Sequence, residues 1–290
     1  MNNQSVELAA AHWRLLATEP LAYDGATNMA IDEAILLAIA AGQSPPTLRF
    51  YTWQPPCVSI GYAQSMEQVV DFDACRRDGV TWVRRPTGGR AILHTDELTY
   101  SLTAPASEKR VLGGVVASYR RLSGGLLAGL RLLGLEDVQA EAMKKENTGH
   151  SAIDSHQDLS AACFDIPSHY EITSHGKKLV GSAQVRRQNV VLQHGAIPLA
   201  GDVTRLVSYL HLSDEESTML RAKLERRAIT LKEALGRTVP AKEAIKALTQ
   251  GFAGDLNLYL ERGPLTRQEW AIAKQLREEK YADAGWNLRK

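Results

Sequence analysis

Residues 81–105, TWVRRPTGGRAILHTDELTYSLTAP, read as strand, glycine turn, strand, turn, strand. This run constrains the fold more than any other stretch, because hairpins set beside helices argue for an α+β fold and against a doubly wound parallel sheet. A second run follows, with strands predicted over Asp165–Ser174, Lys178–Gln184 and Asn189–Leu199. Upstream, His12–Thr18 reads as a short strand. Thr27–Ala41 reads as a helix, with Ile31, Ile35, Ala38 and Ile39 at helical spacing and Gly42 as its stop. Thr47–Trp53 and Cys57–Tyr62 are strand candidates separated by Gln54-Pro55-Pro56, since proline cannot donate to a ladder. Met66–Asp78 reads as one helix closed by Gly79. Val111–Leu133 is a long amphipathic helix with Val115, Tyr119, Leu122, Leu126, Leu130 and Leu133 on one face. The pairs Gly113-Gly114 and Gly124-Gly125 weaken its continuity by about 1 kcal/mol per glycine. Glu141–Ser160 is polar and aperiodic, a long loop of the kind that often carries function. Beyond Gly201 the chain turns helical, with capping-box spacing at Ser213/Glu216, Thr230/Glu233 and Thr266/Glu269. The expected architecture is therefore mixed, largely antiparallel sheets flanked by helices, with a main domain over 12–253 and a helical C-terminal extension over 254–290.

Composition narrows the function classes. The chain has 290 residues, 44% hydrophobic and 23% charged, as a globular protein with a sizeable core requires. Lys+Arg number 34 and Asp+Glu 33, a net charge of +1 that offers no electrostatic hook for bulk nucleic acid or an anionic membrane. The first residues lack the basic-then-apolar order of a signal peptide, and the uncharged run from Ala34 to Gly42 is too short to span a bilayer. The three cysteines, Cys57, Cys75 and Cys163, are too sparse for a disulfide framework, so a cytoplasmic protein is expected. No His/Cys/Asp/Glu cluster has metal-ligand spacing, and no metal is expected.

Three stretches offer chemistry. In Arg84-Arg85-Pro86-Thr87-Gly88-Gly89-Arg90 the glycines let backbone approach a ligand, and the arginines suit a phosphate or carboxylate. A plain Gly-Gly hairpin turn with solvated arginines accounts for the same residues. Cys163 follows the polar loop and precedes a strand. It is either a nucleophile activated by a nearby cation or a small buried hydrophobe. In Gly176-Lys177-Lys178-Leu179-Val180-Gly181-Ser182-Ala183-Gln184, alternation places Lys178, Val180 and Ser182 on one face. One of the two lysines is expected to point inward; two solvated turn lysines are the alternative. His94 and His194 are each a base or a pocket wall. Cys57 is expected to pack in a strand and Cys75 on a helix.

Taken in order, these motifs resemble the biotin/lipoate protein ligase and lipoyl transferase superfamily. The resemblance runs through Arg84-Arg85-x-Thr87-Gly88-Gly89-Arg90-Ala91-x-x-His94 and Asp96-Glu97-Leu98-Thr99-Tyr100-Ser101. It continues through Ala162-Cys163-Phe164-Asp165-x-Pro167-Ser168-x-Tyr170-Glu171, Gly176-x-Lys178-x-x-Gly181-Ser182-Ala183-Gln184 and Leu192-Gln193-His194-Gly195. Lys280-Tyr281 and Trp286-Asn287 extend it to the end of the chain. The motifs are most similar to the cysteine-dependent octanoyltransferases of the lipoate-ligase-like branch. ATP-using lipoate ligases usually carry a third glycine where this chain has Arg90, and they do not need a cysteine at position 163. His169 stands where the family often has an aromatic residue, which leaves the catalytic positions intact.

The resemblance implies an acyltransferase domain over 12–253 and transfer of octanoyl from octanoyl-acyl carrier protein to the lysine of a lipoyl domain, typically the glycine cleavage H protein. It implies Cys163 as the acyl-accepting nucleophile and Lys178 as the cation that lowers the thiol pKa and positions the carbonyl or amine. Arg85, Thr87, Gly88, Gly89, Arg90, His94, Gly181, Ser182, Ala183 and His194 are the implied substrate-binding set. No cofactor is implied. Arg84, Arg85, Arg186 and Arg187 are candidates for a basic docking surface. The alternatives are an ATP-dependent lipoate–protein ligase, an amidotransferase between lipoyl domains, and a catalytically inert module that binds them.

Overall fold

The computed structural model describes residues 8–17, 19, 21–141 and 171–289. Cys163, the expected loop beyond Glu141 and the first six residues of the strand expected over Asp165–Ser174 lie outside the described residues. In chain order the strands are β1 (Ala11–Leu16), β2 (Ala22–Tyr23), β3 (Thr47–Trp53), β4 (Cys57–Ile60), β5 (Thr81–Arg84), β6 (Ile92–His94), β7 (Glu97–Pro105), β8 (Val138–Glu141), β9 (Glu171–Ser174), β10 (Lys177–Arg187), β11 (Val190–Pro198) and β12 (Leu258–Arg262). The helices are α1 (Gly25–Ala40), α2 (Met66–Val69), α3 (Phe72–Arg77), α4 (Val115–Leu132), α5 (Asp214–Arg227), α6 (Leu231–Leu235), α7 (Ala241–Asp255), α8 (Arg267–Leu276) and α9 (Ala284–Asn287).

A large mixed sheet has the order β12-β1-β3-β7-β11-β10-β9-β8, with β2 beside β3, and a small sheet has the order β5-β4-β6. The pairs from β3 through β7, β11, β10 and β9 to β8 are antiparallel, while β12, β1 and β3 run parallel. The fold is thus the expected α+β architecture. Alternation along β7 sends Leu98, Tyr100 and Leu102 to one face, where Leu122, Leu126 and Leu130 of α4 and Leu248 and Phe252 of α7 cover them. Glu97, Thr99, Ser101 and Thr103 point the other way and are buried too. That second face is covered in part by α1, which is buried nearly all round and carries Asn28, Asp32 and Glu33 inside.

Four expectations are corrected. The helix expected over Met66–Asp78 is two short helices, because Val70 is extended and bridges Leu210 while the Asp71 carboxylate caps α3. The helix expected from Val111 starts at Val115, after Gly113 adopts a positive φ and Gly114 serves as N-cap. The strand expected to reach Tyr62 stops at Ile60, where Gly61 meets the Gly89 carbonyl. The shared face of Lys178, Val180 and Ser182 fails because a bulge between Lys178 and Val180 breaks the alternation. Leu179 and Val180 both enter the core. Beyond Gly254 the chain holds α8 and α9 and also β12, which pairs with β1 in the large sheet.

Candidate active site

Register decides which side chains meet. Tyr51 pairs with Thr99, Thr99 with Ala196, and Ala196 with Gly181, one row across β3, β7, β11 and β10. These four residues line a narrow pocket with a free volume of about 20 Å³, with Trp53, Ser182, Ala183, His194 and Gly195 beside them. Ile92 and His94 of β6 and Arg85, just after β5, line it from the small sheet. Glu171 precedes Ile172, which pairs with Val180, and is not among the residues that line this pocket. Lys178 is buried as expected, and its Nζ lies 2.7 Å from Glu171 Oε1. Lys177 instead reaches an exposed backbone carbonyl at Glu225.

Two buried networks fix the walls. Arg85 Nη1 donates to the Ser59 carbonyl at 2.8 Å and to Ser59 Oγ at 2.6 Å. Its Nη2 donates to the carbonyls of Gly88 and Arg90, so the guanidinium shapes the glycine turn. Ser59 Oγ lies 2.6 Å from His94 Nε2, and His94 Nδ1 lies 2.8 Å from Glu97 Oε1. His94 also stacks on Trp53 at 3.9 Å and 13°. Ser59 is 0% exposed, so this Ser–His–Glu chain braces the wall and does not present a nucleophile.

The second network runs through His194, whose Nε2 lies 2.7 Å from Thr87 Oγ1 and whose Nδ1 faces Asp32 at 3.5 Å. Asp32 accepts from Arg49 Nη1 at 2.7 Å and Tyr51 Oη at 2.9 Å. Burial alone would raise the Asp32 carboxyl, but Arg49 and His194 override it and hold it below the ordinary range. Burial pushes His194 down against the pull of Asp32, with Arg85 and His94 adding to the fall.

The expected site residues therefore divide. Arg85, His94, Gly181, Ser182, Ala183 and His194 line one cavity. Thr87 is buried behind it on His194, while Gly88, Gly89 and Arg90 form the turn that Arg85 holds. Gly89 has φ 93°, and a Cβ on Gly61 would meet the Gly89 carbonyl oxygen, so both glycines are required by the turn. Arg84 and Arg85 are 1% and 3% exposed and cannot serve as a docking surface. Arg84 donates instead to carbonyls of Tyr62, Trp286, Asn287 and Arg289. Arg186 and Arg187 line a separate crevice with Glu33, Tyr62, Pro86, Lys280 and Trp286. Sequence reasoning missed Trp53 in the wall and Ser59, Asp32 and Arg49 in the networks behind it, because single residues in strands and helices carry no local motif. Glu97 and Glu171 did stand inside the quoted motifs, three residues after His94 and seven before Lys178. Among the described residues no group of three or more His, Cys, Asp or Glu is placed to hold a metal ion, and no helix is long and apolar enough to cross a membrane.

Comparison with known proteins agrees with this fold. Residues 24–253 match the model of the lipoyl protein ligase A/B catalytic domain. A protein named octanoyltransferase LipM from Symbiobacterium thermophilum is 46% identical over 280 residues, covering 96% of this chain and 99% of the relative. One of the same name from Kyrpidia tusciae is 45% identical over 279 residues, with 96% and 99% covered. Among solved structures, a bipartite lipoate protein ligase from Thermoplasma acidophilum shares the fold, with a TM-score of 0.76, 24% identity and 96% of both chains covered. A lipoate-protein ligase A bound with ATP gives a TM-score of 0.73 at 25% identity, with 97% and 99% covered. The chain belongs to the lipoyl protein ligase A/B catalytic domain family.

Proposed function

We propose that this protein is an octanoyltransferase of protein lipoylation that moves octanoyl from octanoyl-acyl carrier protein to a lipoyl-domain lysine through Cys163. The observation that carries the reading is a narrow pocket lined by Gly181, Ala196, Ile92 and Trp53 in the same sheet as the buried Lys178–Glu171 pair. A narrow pocket with a largely apolar lining suits the apolar part of an acyl group. The relatives named octanoyltransferase, similar along nearly the whole chain, support the acyltransferase class.

In the first step the Cys163 thiolate attacks the carbonyl carbon of the donor thioester. A new sulfur–carbon bond forms, the old one breaks, and the carrier leaves as a thiolate that takes up a proton. In the second step the amine of the target lysine attacks the octanoyl-Cys163 carbonyl. The carbon–nitrogen bond forms, Cys163 leaves as thiolate, and the amine proton passes to a base. A thioester is energetic enough to acylate an amine, so ATP is not needed. Lys178 supplies a cation for the developing oxyanion, and Glu171, 2.7 Å from its ammonium, is the acceptor closest in chemistry for the amine proton. The acceptor class is a lipoyl domain of the glycine cleavage H protein type, and the reaction belongs in the cytoplasm, where acyl carrier protein and reduced thiols coexist.

Cys163→Ser tests the reading. Transfer from octanoyl-acyl carrier protein is expected to fall by on the order of 10³-fold or more. Unchanged amide formation by the variant, supported by octanoate and ATP, would favour the ligase chemistry instead.

A further inference from the structure

Lys280-Tyr281 and Trp286-Asn287 line no part of the pocket, yet each pair holds one of its walls. Lys280 Nζ and Tyr281 Oη both donate to the Glu33 carboxylate on α1. The preceding residue, Asp32, faces His194, which lines the pocket. Trp286-Asn287 holds the glycine turn. Trp286 Nε1 donates to the Arg84 carbonyl at 3.0 Å, and the Arg84 backbone N–H donates to Asn287 Oδ1 at 2.8 Å. The Arg84 guanidinium donates in turn to the Asn287 carbonyl at 2.9 Å. Arg84 immediately precedes Arg85, whose guanidinium holds the carbonyls of Gly88 and Arg90.

The same segment holds the turn from its other side. The Arg289 guanidinium lies 3.8 Å from the Tyr62 ring centre and 3.9 Å from that of Trp286, and the Tyr62 N–H donates to the Thr87 carbonyl at 2.8 Å. Asn287 is 5% exposed and uses its whole amide. Its Oδ1 accepts from Arg84, and its Nδ2 donates to the carbonyls of Tyr281 at 2.9 Å and Asp283 at 3.0 Å. Removing that amide leaves buried polar groups without partners. An aspartate of the same shape would set a carboxylate against the two carbonyls.

We propose that Asn287 is a positioning residue, acting through Arg84 to hold Arg85 and the Thr87–Arg90 turn against the pocket. Its effect on acyl transfer rests on the octanoyl-transfer reading above; the clamp itself does not. A wall displaced by about 1 Å costs on the order of 10²-fold in rate, even when the cause lies away from the chemistry.

Amide hydrogen exchange and kinetics test it together, on Asn287→Ala, Asn287→Asp and Trp286→Phe. The last removes one bond to Arg84 and keeps a ring beside Arg289. The Tyr62 N–H, bonded to Thr87, and the Arg85 N–H, bonded to Ile60, are expected to exchange on the order of tenfold faster in both Asn287 variants, with β7 and β11 unchanged. The kcat/KM for octanoyl-acyl carrier protein is expected to fall roughly 10- to 100-fold in these two and severalfold in Trp286→Phe. Arg85→Lys is expected to add little to Asn287→Ala, since both free the same turn. Unchanged exchange at Tyr62 and Arg85, an equal rise in β7 and β11, transfer at the wild-type rate, or losses that multiply in the double variant overturns the proposal. Should both Asn287 variants fail to fold, Trp286→Phe carries the same comparisons, alone and with Arg85→Lys. If wild type uses only octanoate with ATP, the transfer reading fails and the same ratios are read on that donor. If it uses neither donor, the transfer reading fails while exchange still judges the clamp.

Discussion

At the scale of single residues, the molecule separates its inert thiols and silent histidine from its chemistry. Burial pushes the Cys57 thiol up to about 12 and the Cys75 thiol up to about 11. Brief treatment with iodoacetamide at pH 8 is therefore expected to label Cys163 and spare these two, as peptide mapping will show; equal labelling of all three would contradict it. His194 has its pKa lowered in the fold, mainly by burial, so the folded state resists its protonation. Stability from this group is full above the unfolded value of about 6.5 and declines as pH falls from there through the lowered folded value. Asp32 acts in the same direction at lower pH, its contribution present above the unfolded value of about 3.9 and lost as pH falls through its depressed folded value. Thermal melts are expected to weaken below pH 6.5, and His194→Gln is expected to flatten the upper part of that decline. The inward lysine was legible because Lys178 opens a strand that turns apolar. Its partner Glu171 was legible only as a letter in a motif, since nothing local says that a hairpin brings the two within 2.7 Å.

At the scale of elements, glycine decides how closely α4 and α7 pack. A Cβ on Gly251 would lie 2.1 Å from the Gly129 backbone nitrogen, and one on Gly125 would meet the Phe252 ring. The Gly124-Gly125 pair, read from the sequence as a weakness of the helix, is thus what lets Phe252 sit against α4 and seal the face opposite the cavity. Gly251→Ala gains up to about 1 kcal/mol of helix propensity, yet forces the backbones apart. A net loss of about 1–3 kcal/mol is expected in urea titration, and unchanged stability would contradict the packing argument. Capping boxes at Ser213, Thr230 and Thr266 form as their spacing required, because a box needs only residues three apart. The break at Val70 did not announce itself, because its cause is a bridge to Leu210, far along the chain.

At the scale of the whole molecule, distant segments complete the site. Arg84 at the entry to the glycine turn is held by Asn287, and the Arg14–Glu269 pair, at 2.6 Å, ties β1 to α8. These partners are more than 200 positions apart, so no window of sequence shows them. The quoted motifs contain Arg85, His94, Gly181, Ser182, Ala183 and His194, which meet at one pocket from the small sheet and from β10 and β11. The central claim is that this cavity feeds an acyl group to Cys163. Intact mass after incubation with octanoyl-acyl carrier protein, without ATP, tests it most directly. The account predicts a gain of one octanoyl group that maps to Cys163 and disappears on addition of apo lipoyl domain. No adduct, with lipoyl-domain amide formed only when octanoate and ATP are supplied, would contradict it.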